Sequence, residues 1–196
     1  MEEIAPGLRR WTARHPDWEE DVASLALESD DGLILIDPLD PPRGVRSPDH
    51  VLLTVFWHHR STADLKAKHV WSPGSVRALG NRGVEVTDVF GAGDALPGGV
   101  QAFQTARRNE AVYWLPKQRA LVAGDVLLGA GAKPRATDDP LRLCPERWLG
   151  ARTTHEDLRA SLAPLLELPV SRVLVSHGEP ILRHGRRALE RVLESG

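Results

Sequence analysis

Cysteine is almost missing from this chain. The single Cys144 among 196 residues excludes an intrachain disulfide, and a lone thiol fits a reducing compartment. Long apolar runs are missing too: "LILI" and "VLLTVFW" are far too short to cross a bilayer. The opening "MEEIAPGLRR" carries acids and a proline where a secretory signal needs an apolar stretch, so a cytoplasmic protein with no membrane role is expected. Charge of one sign is not in excess either. A net charge of -2 supplies no broad positive field to gather phosphate backbones, and nucleic acid is not an expected partner. Several catalytic motifs are incomplete or absent. "HEDLR" at His155 lacks the second histidine of H-E-x-x-H, "GAGD" lacks the third glycine and the helix of a dinucleotide loop, and no G-x-S-x-G surrounds Ser176.

What is present is an ordinary globular composition, 41% hydrophobic and 27% charged, which at this length predicts one folded domain over residues 1–196. "VASLALE" (Val22 to Glu28) alternates, and after the turn signal "SDDG" comes "LILIDP", a hairpin ending at Asp37. A proline-rich loop leads to a strand over Val51 to Phe56, followed by a short helix in "STADLKAKH", a strand and helix in "VWSPGSVRAL", and a strand in "GVEVTDVF". From Val100 three strands form a meander: "VQAFQTA", "EAVYWLP" and "RALVAGDVLL". "TTHEDLRASLAPLLELP" starts with a Thr154 to Asp157 capping pair and is kinked or broken at Pro164; the strand "SRVLVSHG" and the amphipathic helix "GRRALERVLESG" follow. The order predicts two sheets packed face to face with helices outside.

Three strand ends carry polar groups: "WHHR", Gly124-Asp125 and His177-Gly178. A sheet fixes such groups while solvent reaches them, so if the corners meet, imidazoles and a carboxylate converge as zinc or iron requires. The adjacent His58 and His59 point to opposite faces if they lie on a strand, which leaves one of them for the site. Of the six tryptophans, Trp114 reads as core and Trp57 lies at the site edge.

The succession "LILIDP", "VLLTVFWHHRST", "YWLPKQRALVAGDVLL", "VLVSHGEPI" resembles the metallo-β-lactamase superfamily over nearly the whole chain. That resemblance implies an α+β fold, a four-layer αβ/βα sandwich with a metal site at one edge, and hydrolysis by a metal-bound hydroxide on substrates from lactams and thioesters to phosphodiesters. Family members carry an early strand ending in Asp, then T-H-x-H-x-D-H, G-H-T-P-G, G-D and a late histidine. Here Asp37 ends the early strand. With Thr54 on the motif's threonine, Val55 and Trp57 replace the first two histidines, His59 stands at the aspartate and Arg60 at the last histidine; Ala106 replaces the histidine of G-H-T-P-G.

The side chains of Val55, Trp57 and Ala106 donate no electron pair to a metal, so the resemblance does not carry a binuclear zinc centre. Two readings of the cofactor stay open. One is a single divalent metal, zinc or iron, on His59, Asp125 and His177, in a hydrolase of a small ester, thioester or related substrate. The other is a metal-free binding or structural protein in which Arg60 pairs with Asp125. A metal-free acid/base set of His58 or His59 with Asp125 is a further catalytic option. A small molecule is the expected partner, and substrate and oligomeric state stay open.

Overall fold

The computed structural model describes residues 1–133 and 139–194. Chain order gives strands β1 (Glu2–Ala5), β2 (Leu8–His15), β3 (Glu20–Ser29), β4 (Gly32–Ile36), β5 (His50–Leu52) and β6 (His69–Ser72), helix α1 (Val76–Gly80), and strand β7 (Asp88–Val89). Strands β8 (Gln101–Gln104), β9 (Ala111–Leu115), β10 (Ala120–Ala123), β11 (Leu127–Gly129) and β12 (Leu141–Leu143) follow, then helix α2 (His155–Leu162), β13 (Arg172–Val175) and α3 (Gly185–Glu194). Strands β1 to β7 form one sheet in sequence order, antiparallel up to β4 and parallel beyond it. The second sheet runs β13-β10-β9-β8, with β13 parallel to β10 and the expected meander antiparallel.

Side-chain alternation explains how these strands make four layers. In β4, Ile34 and Ile36 point between the sheets, while Leu33 and Leu35 point outward to Leu79 of α1. In β9 and β10, Tyr113, Leu115 and Val122 point inward, while Trp114 and Leu121 meet Leu158 and Leu162 of α2 and Leu189 of α3. Both sheets are therefore covered on both faces, and the expected αβ/βα sandwich is the observed one. Tyr113 also ties the sheets directly, its buried hydroxyl donating to Leu53 O at 2.6 Å. No helix among the described residues is long and apolar enough to cross a membrane.

Local departures have physical causes. Val22 to Leu27 does not alternate in exposure; all six residues are buried, because Ser24 is roofed by the chain after β4, its Oγ donating to Asp37 O and accepting from Leu39 N. The strand expected over Val51 to Phe56 stops at Leu52, since Thr54 is captured by Asp37 and a 3-10 turn forms at Phe56–His59. The expected helix after Ser61 is only a 3-10 turn over Thr62–Asp64. Strand β2 carries Arg9 and Arg14 exposed and Arg10 half-buried, on both of its faces, which hides its strand pattern. At α2 the capping box forms, Asp157 N donating to Thr154 Oγ1 and Thr154 N to Asp157 Oδ2, and the helix gives way to a 3-10 segment at Ala163–Glu167, where Pro164 lies.

Candidate functional site

The site forms where the ends of β4, β10 and β13 meet the turn after β5. Asp37 follows β4 and is 4% exposed; it receives Thr54 N at 2.9 Å and Thr54 Oγ1 at 2.5 Å. Its Oδ2 also lies 2.9 Å from His58 Nδ1. A carboxylate accepts only, so Nδ1 carries the proton and His58 Nε2 is turned toward Asp125. Opposite, His177 sets Nδ1 3.4 Å from Glu20 Oε2 and Nε2 3.2 Å from Asp125 Oδ1, while His58 Nε2 is 3.0 Å from the same oxygen.

Two imidazoles, each with a carboxylate behind it, thus aim Nε2 at one buried oxygen. His58, Asp125 and His177 place their donor atoms within 4.8 Å of one another. His58 Nε2, His177 Nε2 and Asp125 Oδ1 are buried, and none has a hydrogen bond of acceptable alignment despite the short separations. Such a convergence of unsatisfied donors fits a cation held among them: N, N and O ligands are those zinc takes, and three protein ligands leave a position open.

Around the cluster Asp125 is held from every side. Trp57 Nε1 donates to its Oδ2 at 2.7 Å, its own N–H donates to Glu110 Oε1 at 2.8 Å, and Arg107 stands 3.9 Å from Oδ2. Arg107 is fixed in turn by Glu110 Oε2 at 3.1 Å and by stacking its guanidinium 4.3 Å over the Trp57 ring. Gly124 is required here, because a Cβ would stand 2.7 Å from Thr54 Oγ1 and 2.9 Å from Glu110 Oε1.

Burial opposes charge on Asp125, but His58 and His177 outweigh it and hold the carboxyl well below its usual range. Burial also opposes the charged imidazoles. Asp125 and Glu20 nevertheless raise His177 to about 9, and Asp125 and Asp37 raise His58, with Arg60 opposing. Glu110, fully buried and close to Asp125, is pushed up to about 7 by desolvation and that negative charge, with Arg107 acting the other way. Burial pushes the Cys144 thiol up to about 12, so it offers no thiolate.

The structure brings Asp37, Trp57, His58, Asp125 and His177 together, and two expectations need correction. His59 does not join Asp125 and His177: in the tight turn of residues 56–59 neighbouring side chains splay apart, His58 goes inward with no exposure, and His59 is left half-buried with Nδ1 near Trp57 O at 3.3 Å. Arg60 does not pair with Asp125 either. Its backbone turns at φ 40°, and the guanidinium donates to Ala23 O and Asp37 O at 2.8 Å each and to Ser176 Oγ at 2.5 Å, lacing three strand ends beside the cluster. Of the replaced motif positions, Val55 is buried beside Glu110, and Ala106 donates its N–H to Ser161 Oγ.

A cavity of about 420 Å³ opens on the cluster, lined by Trp18, Glu20, Arg107, Asp125, Lys133, Trp148 and His177. Sequence reasoning missed Trp18, Glu20, Arg107, Glu110, Lys133 and Trp148. The surplus of tryptophan over tyrosine was the available signal for two of them. A somewhat larger hollow of about 500 Å³ lies between β12, α2 and α3, away from the convergent donors.

No protein-family model and no curated protein matches the sequence. Solved structures do match the fold. A metallo-β-lactamase family protein from Thermus thermophilus superposes with a TM-score of 0.65 at 18% identity, covering 98% of this chain and 80% of that one. A metallo-β-lactamase from Pseudomonas aeruginosa in its mono-zinc form gives 0.67 at 15% identity, with 99% and 94% covered. An archaeal metallo-β-lactamase superfamily protein from Sulfolobus tokodaii gives 0.66 at 15% identity, with 96% and 85% covered. The two-sheet architecture, the strand ends gathered at one edge and these superpositions lead to one conclusion: the chain has the metallo-β-lactamase fold.

Proposed function

We propose that this protein is a metallo-β-lactamase-fold hydrolase of a small substrate, reduced to a single divalent metal held by His58, Asp125 and His177. The observation that carries the reading is the meeting of the His58 and His177 Nε2 atoms with Asp125 Oδ1 at 3.0 and 3.2 Å, where Asp125 and His177 line an open cavity and His58 is fully buried. A bound zinc or iron would supply a Lewis acid and an activated water there.

The chain's own residues have defined tasks. Asp37 keeps the His58 proton on Nδ1, while Glu20 stands 3.4 Å from His177 Nδ1 without an aligned hydrogen bond, and both imidazoles turn Nε2 toward Asp125. Trp57 and Glu110 hold Asp125 in orientation from Oδ2 and from its backbone N–H. Arg107 and Lys133 bring positive charge to the wall that a substrate must pass. Two imidazole protons and one divalent ion carry the same charge of +2, so the site exchanges one for the other without changing the field that Arg60 and Arg107 were arranged around.

A specific observation favours a metal-free second reading: both imidazoles stand within 3.2 Å of Asp125 Oδ1, so their protons alone would compensate its charge, and the protein is then a binder for the same small ligands. Calorimetric zinc titration of the chelator-stripped chain separates the two. One equivalent should bind. His58→Ala should weaken it by more than about 100-fold while His59→Ala leaves it unchanged. No uptake by the wild type establishes the metal-free binder, and a loss confined to His59→Ala restores the motif-based ligand set.

A further inference from the structure

We infer that the cavity above His177 takes a flat aromatic ligand carrying one anionic group. The inference rests on the proposed reading of this cavity as the substrate's, but not on the metal.

Two half-buried tryptophans make the apolar part of its wall. Trp18 sits in the turn joining β2 to β3 and is held in place by stacking on His15, with ring centroids 3.8 Å apart and planes 10° from parallel. Its ring also lies 5.6 Å from that of His177, and the Trp148 ring is 6.3 Å from the same imidazole. The indole N–H groups of Trp11, Trp57 and Trp71 are used inside the protein, but among the described residues neither Trp18 nor Trp148 donates to a protein acceptor. Rigid aromatic surface with an unspent donor, left half-open over a polar floor, is the arrangement that stacks and orients a planar ring.

Charge on the wall selects the rest of the ligand. Asp125 faces His58 and His177, and Glu20 faces His177, so both carboxylates have cationic or metal-binding partners already. Arg107 is partly spent on Glu110. Lys133 is different. Its ammonium donates to the backbone carbonyl of Glu19 at 3.2 Å and makes no direct ion pair among the described residues; Glu20 accepts at 3.1 Å from the Lys133 backbone N–H and shares its field without binding the ammonium. One exposed ammonium with no direct ion pair among the described residues, beside two indoles, fits a carboxylate attached to an aromatic ring, and about 420 Å³ falls in the range of small-ligand cavities.

Calorimetry on the full chain, stripped of metal, tests this with three probes: 2-naphthoate, cyclohexanecarboxylate, which keeps the charge without the π-system, and 2-naphthamide, which keeps the ring without the charge. 2-Naphthoate should bind at least about 10-fold more tightly than either of the others. Lys133→Gln should erase the preference over the amide. Trp148→Ala should erase the preference over the saturated acid, and Trp148→Phe should recover most of it; Trp18→Ala, on a surface turn, reads the same effect if Trp148→Ala does not fold. Equal affinity for the three probes, no binding of any, or a preference untouched by these substitutions overturns the inference. Zinc titration of the same samples keeps the two readings apart, since zinc uptake without naphthoate binding ends only the ligand assignment, and naphthoate binding without zinc uptake ends only the metal.

Discussion

Asp125→Asn is expected to abolish zinc binding and to destabilise the metal-free protein by about 3 to 5 kcal/mol, the usual scale for removing one partner from a buried charged cluster. The carboxylate is 5% exposed and stands within reach of His58, His177 and Arg107. Without its charge the imidazoles lose the partner that raises them and sit buried with unsatisfied nitrogens. A double-mutant cycle in denaturant locates the energy. His177→Gln and Asp125→Asn should couple strongly because they touch, whereas Arg60→Met and Asp125→Asn should couple less, since Arg60 hydrogen-bonds Ala23 O, Asp37 O and Ser176 Oγ and reaches Asp125 only through its charge. Strong coupling of Arg60 to Asp125 with none to His177 reverses the picture of which cation Asp125 depends on.

The second large effect is a pH dependence that changes with metal. His177 is raised from 6.5 to about 9, so the metal-free fold gains roughly 3 kcal/mol from its proton below pH 6.5 and loses it as the pH climbs through 9. His58 is raised as well and acts in the same direction. Glu110, raised to about 7, also favours the protonated folded state, but most of its loss falls between pH 4.5 and 7. Asp125 is depressed, so its contribution is constant across this window. Zinc must displace protons from both Nε2 atoms, and its affinity therefore rises over the pH range in which the metal-free protein weakens. Urea unfolding at pH 6.5, 8 and 9 should show stability falling without zinc and the added stabilisation by zinc growing. Parallel curves would mean that the ion does not occupy the histidine nitrogens.

Much of the fold was legible because its signals are local. The apolar runs of β4, β9 and β10, the Thr154 capping box and the break at Pro164 each depend on residues a few positions apart. Asp125 and His177 were legible as members of the candidate cluster for the same reason, each following a buried strand. His58 against His59 was not. Spacing along an extended strand separates adjacent residues by face, but the segment is a tight turn imposed by the Asp37 capture of Thr54, some 17 positions away in sequence. The partner of Arg60 was equally hidden, since its acceptors are backbone carbonyls, which no sequence pattern marks. Trp18, Lys133 and Trp148 come from three separate segments and become one wall only when the sandwich is closed.

Elemental analysis of the untagged chain, purified without chelator, bears hardest on the single-metal reading. The expected result is about one equivalent of zinc or iron per chain, falling to none in His177→Ala and unchanged in His59→Ala. Two equivalents in the wild type, one retained in His177→Ala, or none in the wild type even after growth with added zinc would contradict it.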